Sequence, residues 1–208
     1  VTGPAHELRN QSLLGGVAHF VDAIEGQHCA ALHAGLLHRY QPCAGQMLAQ
    51  QHAEHRRLGG VFRITDGLQK RFGADRVMDT PLAESGILGM SVGLAMAGFH
   101  PIPEVQFDGF AYPAVNQIIT QLARMNYRSR GTLPMPVTLR VPSFGGIRAP
   151  EHHGESLEAL FAHVPGLKVV SPSSPHEAYH LLRHSVAVPD PVIFMEPKSR
   201  YWQKGEVN

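Results

Sequence analysis

Nowhere does the chain approach the ~20 consecutive apolar residues that a membrane-spanning helix requires, so no span is expected. Cysteine is scarce: Cys29 and Cys43 are the only two in 208 residues, too few for a disulfide framework, which fits a reducing compartment. Charge is thin as well. Asp, Glu, Lys and Arg make up 17% of the residues and leave a formal net charge of +1. Neither a nucleic acid nor an anionic membrane surface is therefore expected as a partner. The N-terminal stretch lacks the basic segment, apolar run and small-residue cleavage site of a secretory signal. The expected location is the cytoplasm, or the mitochondrial matrix in a eukaryote. What remains is enough chain for one substantial α/β domain with an appendage.

Residues 1–56 read differently from the rest. They contain no lysine, both cysteines and seven of the 14 histidines (His6, His19, His28, His33, His38, His52 and His55). Neither a period of 2 nor a clean helical period runs through them. A zinc site of His28, Cys29, His33 and Cys43 lacks any CxxC or HxxxH pair, which leaves a poorly specified leader as the preferred reading.

From Gly59 the pattern becomes regular. Asp66 to Gly73 reads as a short helix closed by glycine, and Asp79 to Ser85 as a turn. Gly86 to Ala97 reads as a helix of small and apolar residues that should be buried. Pro103 to Phe107 reads as a strand, Ala114 to Tyr127 as a helix and Val137 to Val141 as a strand. Ser143 to Gly154 is a polar, glycine-bearing loop of the kind that carries sites. Leu157 to His163 is a helix and Leu167 to Val170 a buried strand. Ser174-Pro175-His176-Glu177 is a capping box opening a helix to about Val186, and Val192 to Met195 is the last strand. Strands alternating with helices imply a parallel sheet flanked by helices, with ligands at the carboxyl ends of the strands. Glu84 and the His152-His153 loop both lie in connections of that kind.

Several runs, in order and spacing, carry a resemblance. They are Leu58-Gly59-Gly60-Val61-Phe62-Arg63, Asp79-Thr80-Pro81-Leu82-Ala83-Glu84-Ser85-Gly86-Ile87 and Glu104-Val105-Gln106-Phe107-Asp108-Gly109-Phe110. Glu151-His152-His153, Gly166-Leu167-Lys168-Val169-Val170 and Glu196-Pro197-Lys198 follow. From Arg57 onward the chain resembles the thiamin-diphosphate-binding, transketolase-like pyrimidine-binding domain of 2-oxo acid dehydrogenase E1 beta subunits. Glu-Pro-Lys and the Gln-Phe before Asp108 resemble the branched-chain type. Pyruvate as substrate is the alternative among enzymes, and a non-catalytic remnant that only binds a partner subunit is the alternative outside them.

The resemblance implies a heterotetramer of two E1 alpha and two E1 beta chains, with thiamin diphosphate between subunits and magnesium held by the alpha chain. It implies oxidative decarboxylation of a 2-oxo acid and transfer of the acyl group to a lipoyl-bearing E2. Glu84 matches the glutamate that hydrogen-bonds the cofactor's pyrimidine, and its neighbours Leu82, Ala83, Ile87 and Leu88 are expected to form an apolar pocket around it. His153 matches the catalytic-loop histidine that assists acylation of the lipoyl group by proton transfer. Phe110 corresponds to the ring packing on the pyrimidine, with Phe107 and Tyr112 as other candidates. Val137, Ser185, Val186, Val188 and Asp190 align with a potassium site, in which Asp190 is the only side-chain ligand to name. The chain departs from the family's pattern at Arg148, Pro150 and Gly154, where small residues and, at the last, serine are more usual.

Two larger departures give further expectations. The family's first strand and helix are unrecognisable in residues 1–56, and a second, C-terminal transketolase-like domain does not follow Asn208. We expect residues 1–56 to lie out of the ancestral reading frame and the sheet to lack its first strand. The domain proper is then residues 57–208.

Overall fold

The computed structural model describes residues 11–12, 46–51 and 60–207, the first two stretches as backbone. The candidate zinc residues His28, Cys29, His33 and Cys43 lie outside the described residues, as does most of the 1–56 segment. In chain order the elements are β1 (Gln11–Ser12), β2 (Gln46–Gln51), α1 (Leu68–Phe72), β3 (Val77–Thr80), α2 (Glu84–Met96) and β4 (His100–Glu104). A 3-10 turn (Asp108–Ala114), a π-helical turn (Gln117–Leu122) and α3 (Ala123–Arg128) follow. The chain continues through β5 (Thr138–Ser143), α4 (Glu158–Ala162), β6 (Lys168–Val170), α5 (Pro175–Ala187), β7 (Val192–Pro197) and β8 (Lys204–Gly205).

Six strands form one sheet in the order β3-β2-β4-β5-β7-β6, every pair parallel, and β1 pairs antiparallel with β8 apart from it. The expected α/β fold with a helix-flanked parallel sheet is therefore present. From β2 the chain steps outward to β3, then returns across β2 to β4. The strand order thus reverses beside β2 and β4, where such sheets open a crevice at their carboxyl ends.

Strand β2 corrects the expectation of a missing first strand. Gln46–Gln51 runs between β3 and β4, with Leu48 opposite Val77 on one side and Ile102 on the other. Ladder hydrogen bonds are made by backbone groups that every non-proline residue carries. A stretch without glycine or proline inside it can therefore fill the register even where its residue types carry no alternating signal. The expected turn at Asp79-Thr80 is likewise corrected, since both residues end β3. Four residues of which only Val77 is fully buried leave too short a pattern to read.

The sheet is covered on both faces. Along β7, Phe194 joins one apolar cluster, with Ile64, Ile102, Leu182 and Tyr201, while Ile193 and Met195 join another with Ile87, Leu88, Ile118 and Phe161. Successive residues of a strand point to opposite faces, so α5 covers one side and α2 the other. The Ser174 cap forms as expected, while Glu177 reaches back one residue beyond the cap. Ser174 Oγ accepts from the Glu177 amide at 3.2 Å, and Glu177 Oε2 accepts from the amide of Ser173 at 2.7 Å. Helix α2 departs from expectation: Ile87, Leu88, Ser91, Val92 and Ala95 are buried, but Gly86, Gly89, Met90, Gly93 and Met96 face outward.

Three strands are tied together by a buried charge network. Arg140 of β5 donates to both oxygens of Glu196 on β7, at 2.7 and 3.1 Å, and to Glu104 on β4 at 2.8 Å. Tyr201 donates to the same Glu196 at 2.7 Å. Burial works against the guanidinium's charge, but Glu196 and then Glu104 outweigh it and hold Arg140 more firmly protonated than in water. Burial, then the Glu196 carboxylate, pushes the Tyr201 phenol well above its usual range. Tyr201 therefore remains a donor at any physiological pH.

Candidate active site

The carboxyl ends of β4 and β5 bring three rings together. The Phe107 and Phe110 rings meet edge to face at 5.8 Å, and His153 sits against both, at 4.8 Å from Phe107 and 5.2 Å from Phe110. Phe107 is buried and Phe110 half-buried, so Phe110 is the ring of the two that offers a face to a ligand. His153 Nδ1 lies 3.2 Å from the Pro150 carbonyl oxygen and 3.0 Å from that of Glu151. A carbonyl can only accept, so the neutral ring carries its proton on Nδ1 and leaves Nε2 as the proton acceptor. The half-buried imidazole is thus oriented by its own loop backbone, while His152 stays exposed with Nε2 3.4 Å from Glu151.

Glu84 opens α2 directly after the turn that leaves β3. It is half-buried, on a helix that packs against the 3-10 turn bearing Phe110. That helix and turn share one apolar cluster, in which Ile87 and Leu88 meet Ala111 and Ala114 and Phe110 packs against the edge. The apolar pocket expected around Glu84 is not made by the four neighbours named for it. Leu82 is 52% exposed and Ala83 also faces solvent, while Ile87 and Leu88 turn into the core one helical turn further on. Phe110 is therefore the link between Glu84 and His153: its ring touches the histidine, and its turn packs on the helix that Glu84 begins.

The family model described as transketolase, pyrimidine binding domain matches residues 46–203. This chain belongs to that family. The matched region takes in β2. A 3-methyl-2-oxobutanoate dehydrogenase subunit beta of Mycobacterium tuberculosis is 59% identical over 150 residues, which are 72% of this chain and 43% of that protein. A pyruvate dehydrogenase E1 component subunit beta of Leifsonia xyli is 58% identical over 151 residues, 73% of this chain and 45% of that one. The chain spans less than half the length of these curated relatives. Among solved structures, a split gene transketolase described as an inactive beta4 tetramer superposes with a TM-score of 0.58 at 17% identity. The match covers 88% of this chain and 50% of that one, and it shows a shared fold.

Within this pyrimidine-binding domain the other expected site residues fall into place unevenly. Tyr112 is 46% exposed and donates its hydroxyl to Glu155 Oε2 at 3.3 Å, tying the 3-10 turn to the far end of the His153 loop. Asp190 lies apart from the rings. Its carboxylate pairs with Lys168 at 2.6 Å, with both side chains about half exposed. The nearby Ser185 carbonyl accepts from the Thr138 hydroxyl at 3.0 Å.

Two further charged residues belong to the motifs that carry the resemblance. Asp108 and Lys198 are both buried, with Lys198 Nζ 3.9 Å from Asp108 Oδ1 and 5.5 Å from the centre of the Phe107 ring. The sequence signal is a charged residue close behind apolar ones, in Val105-Gln106-Phe107-Asp108 and in Phe194-Met195-Glu196-Pro197-Lys198. For the buried network the signal differs: Arg140 is a charged residue inside β5.

Proposed function

We propose that this domain is the pyrimidine-binding part of an E1 beta subunit that, with an E1 alpha subunit and thiamin diphosphate, decarboxylates branched-chain 2-oxo acids and passes the acyl group to lipoyl-E2. The observation that carries the proposal is the Phe110 ring standing between the half-buried carboxylate helix and an oriented histidine at the sheet's carboxyl edge. The names of the most similar curated relatives favour the same reading.

The residues present fit the pyrimidine half of the cofactor: a carboxyl at a helix start for the ring nitrogen, and a half-exposed aromatic face beside it. When bound, thiamin diphosphate supplies the electron sink for decarboxylation. Glu84 would hold the proton shared with the pyrimidine ring nitrogen, and Phe110 would orient the ring by packing. His153, with Nε2 free, would take up or return the proton in lipoyl acylation. Magnesium would be held by the alpha chain. A potassium ion at Asp190 would have to displace Lys168 from the carboxylate.

The outward face of α2 supports a partner subunit. A Cβ built on Gly93 would meet nothing within 4 Å, and one on Gly86 or Gly89 would meet only ordinary contacts at 3.7 and 3.9 Å. No packing among the described residues requires glycine there, and glycine inside a helix costs about 1 kcal/mol relative to alanine. A second helix approaching closely accounts for the residue type. Gln117, whose Cγ is the atom nearest Gly89, also has its buried Oε1 without a partner among the described residues.

Carbon dioxide release tests the proposal. The chain, mixed with an E1 alpha subunit and thiamin diphosphate, should turn over 3-methyl-2-oxobutanoate faster than pyruvate. The reverse order would favour the pyruvate reading, to which the Leifsonia relative at 58% identity gives its own support. Binding to the alpha chain without turnover of either acid would leave the remnant reading.

A further inference from the structure

Lys198 is buried with its ammonium hydrogen-bonded to nothing among the described residues. Three donors without acceptors inside a fold are costly, and a buried ion pair seldom repays its desolvation. The pair with Asp108, long at 3.9 Å, is therefore not explained by stability. Burial pushes the lysine's pKa down and the aspartate's up, and their mutual attraction opposes both.

The surroundings give the pair another role. Asp108 Oδ1 accepts from the Gly109 amide at 3.1 Å, and Oδ2 accepts from Phe144, the first residue of the His153 loop, at 3.2 Å. That loop then rests on the two segments carrying the pair. Gly146 lies so close to Ser199 that a Cβ on it would come within 2.8 Å of the Ser199 backbone. A Cβ on Gly109 would overlap the His152 carbonyl. The loop is thus tied to the Asp108-Gly109 segment at its first residue and beside His153, and to the Lys198-Ser199 segment in between. The ion pair joins the two segments, and the Lys198 ammonium lies 5.5 Å from the centre of the Phe107 ring, which touches His153.

We propose that the buried Asp108–Lys198 pair is a positioning device for the catalytic loop, fixing the two segments on which the loop rests so that His153 stays against Phe107 and Phe110. The part played in acyl transfer rests on the E1 beta reading; the part played in holding the loop does not.

Lys198→Met in the full chain, assembled with its alpha partner and thiamin diphosphate, separates the two. Acylation of a lipoyl domain should fall at least about tenfold, while decarboxylation read with an artificial electron acceptor changes less than about threefold. Amide hydrogen exchange across 144–154 should quicken. Lys198→Met with Asp108→Asn removes the stranded carboxylate but keeps an oxygen for the Phe144 amide, so it should recover part of the lost acylation. The double variant also serves if the single one does not fold. Equal loss in both half-reactions, acylation within about twofold of the parent, or unchanged loop exchange would overturn the proposal. If the parent assembly decarboxylates nothing, the E1 reading fails, and loop exchange alone still decides whether the pair holds the loop.

Discussion

At the scale of single residues, the chemistry of the site depends on orientation more than on unusual environment. His153 has its proton directed onto Nδ1 by two carbonyls, which leaves Nε2 as the proton acceptor. General acid–base catalysis contributes about 10²- to 10⁴-fold. His153→Ala should therefore cut lipoyl-domain acylation by at least about a hundredfold and leave carbanion formation, read with an artificial acceptor, nearly untouched. Equal losses in the two assays would make the histidine a loop-packing residue. Gly154 tests the departure from the family at the loop's end. The nearest atoms to a Cβ there are 3.8 and 3.9 Å away, so Gly154→Ser should shift stability by no more than about 0.5 kcal/mol in a urea titration. Glu84 and His153 stand out as candidates in the sequence because each lies in a distinctive run. Asp108 and Lys198 stand in the same runs, but only the fold shows that their side chains are buried together. Phe110 is named ahead of Phe107 by the resemblance alone, and the structure adds that Phe107 is buried while Phe110 is half-buried.

At the scale of elements, α2 has two jobs that its sequence blends. Its apolar composition announced burial, yet only one side is buried by this chain, and the glycines line the other. Gly93→Leu should leave the isolated chain as stable or more so, since no atom lies within 4 Å and leucine favours helix by up to about 1 kcal/mol. Sedimentation should show it unable to assemble with the alpha chain. Retained assembly would move the partner surface elsewhere. Helix α5 was the most legible element, because a capping box with proline at the first position is a local signal that tertiary packing does not override. Ser174→Ala should cost about 1 kcal/mol in thermal or urea unfolding. Glu177 adds a pH dependence. Hydrogen bonds from Ser173 hold its carboxyl below the usual value, so its contribution is full above about pH 4.5 and is lost as pH falls through the lower folded value. In Glu177→Gln the acid limb of the stability curve should flatten. The 3-10 and π turns between Asp108 and Leu122 were not legible, since both depend on how the chain packs over α2.

At the scale of the whole molecule, the sheet stands on a network that a binary pattern hides. Arg140 reaches both neighbouring strands, to Glu104 and Glu196, from inside an apolar run, and Arg140→Met would strand two carboxylates. Breaking a buried pair from one side costs about 3–5 kcal/mol, so this variant should unfold at markedly lower urea. A loss under about 1 kcal/mol would mean that water reaches the network. Parallel architecture was legible from the alternation of elements, whereas β2 was not, because its pairing is made by backbone between two strands already in register. The central claim is that Glu84 serves the cofactor of a 2-oxo acid decarboxylase. Its most direct test is the rate of carbon dioxide release from 3-methyl-2-oxobutanoate by the chain assembled with an alpha subunit and thiamin diphosphate, compared with the same assembly carrying Glu84→Gln. The account predicts turnover by the parent and a loss of more than tenfold, above about 1.4 kcal/mol in barrier, in a variant that still folds and assembles. More than a tenth of the parent rate in that variant would contradict it.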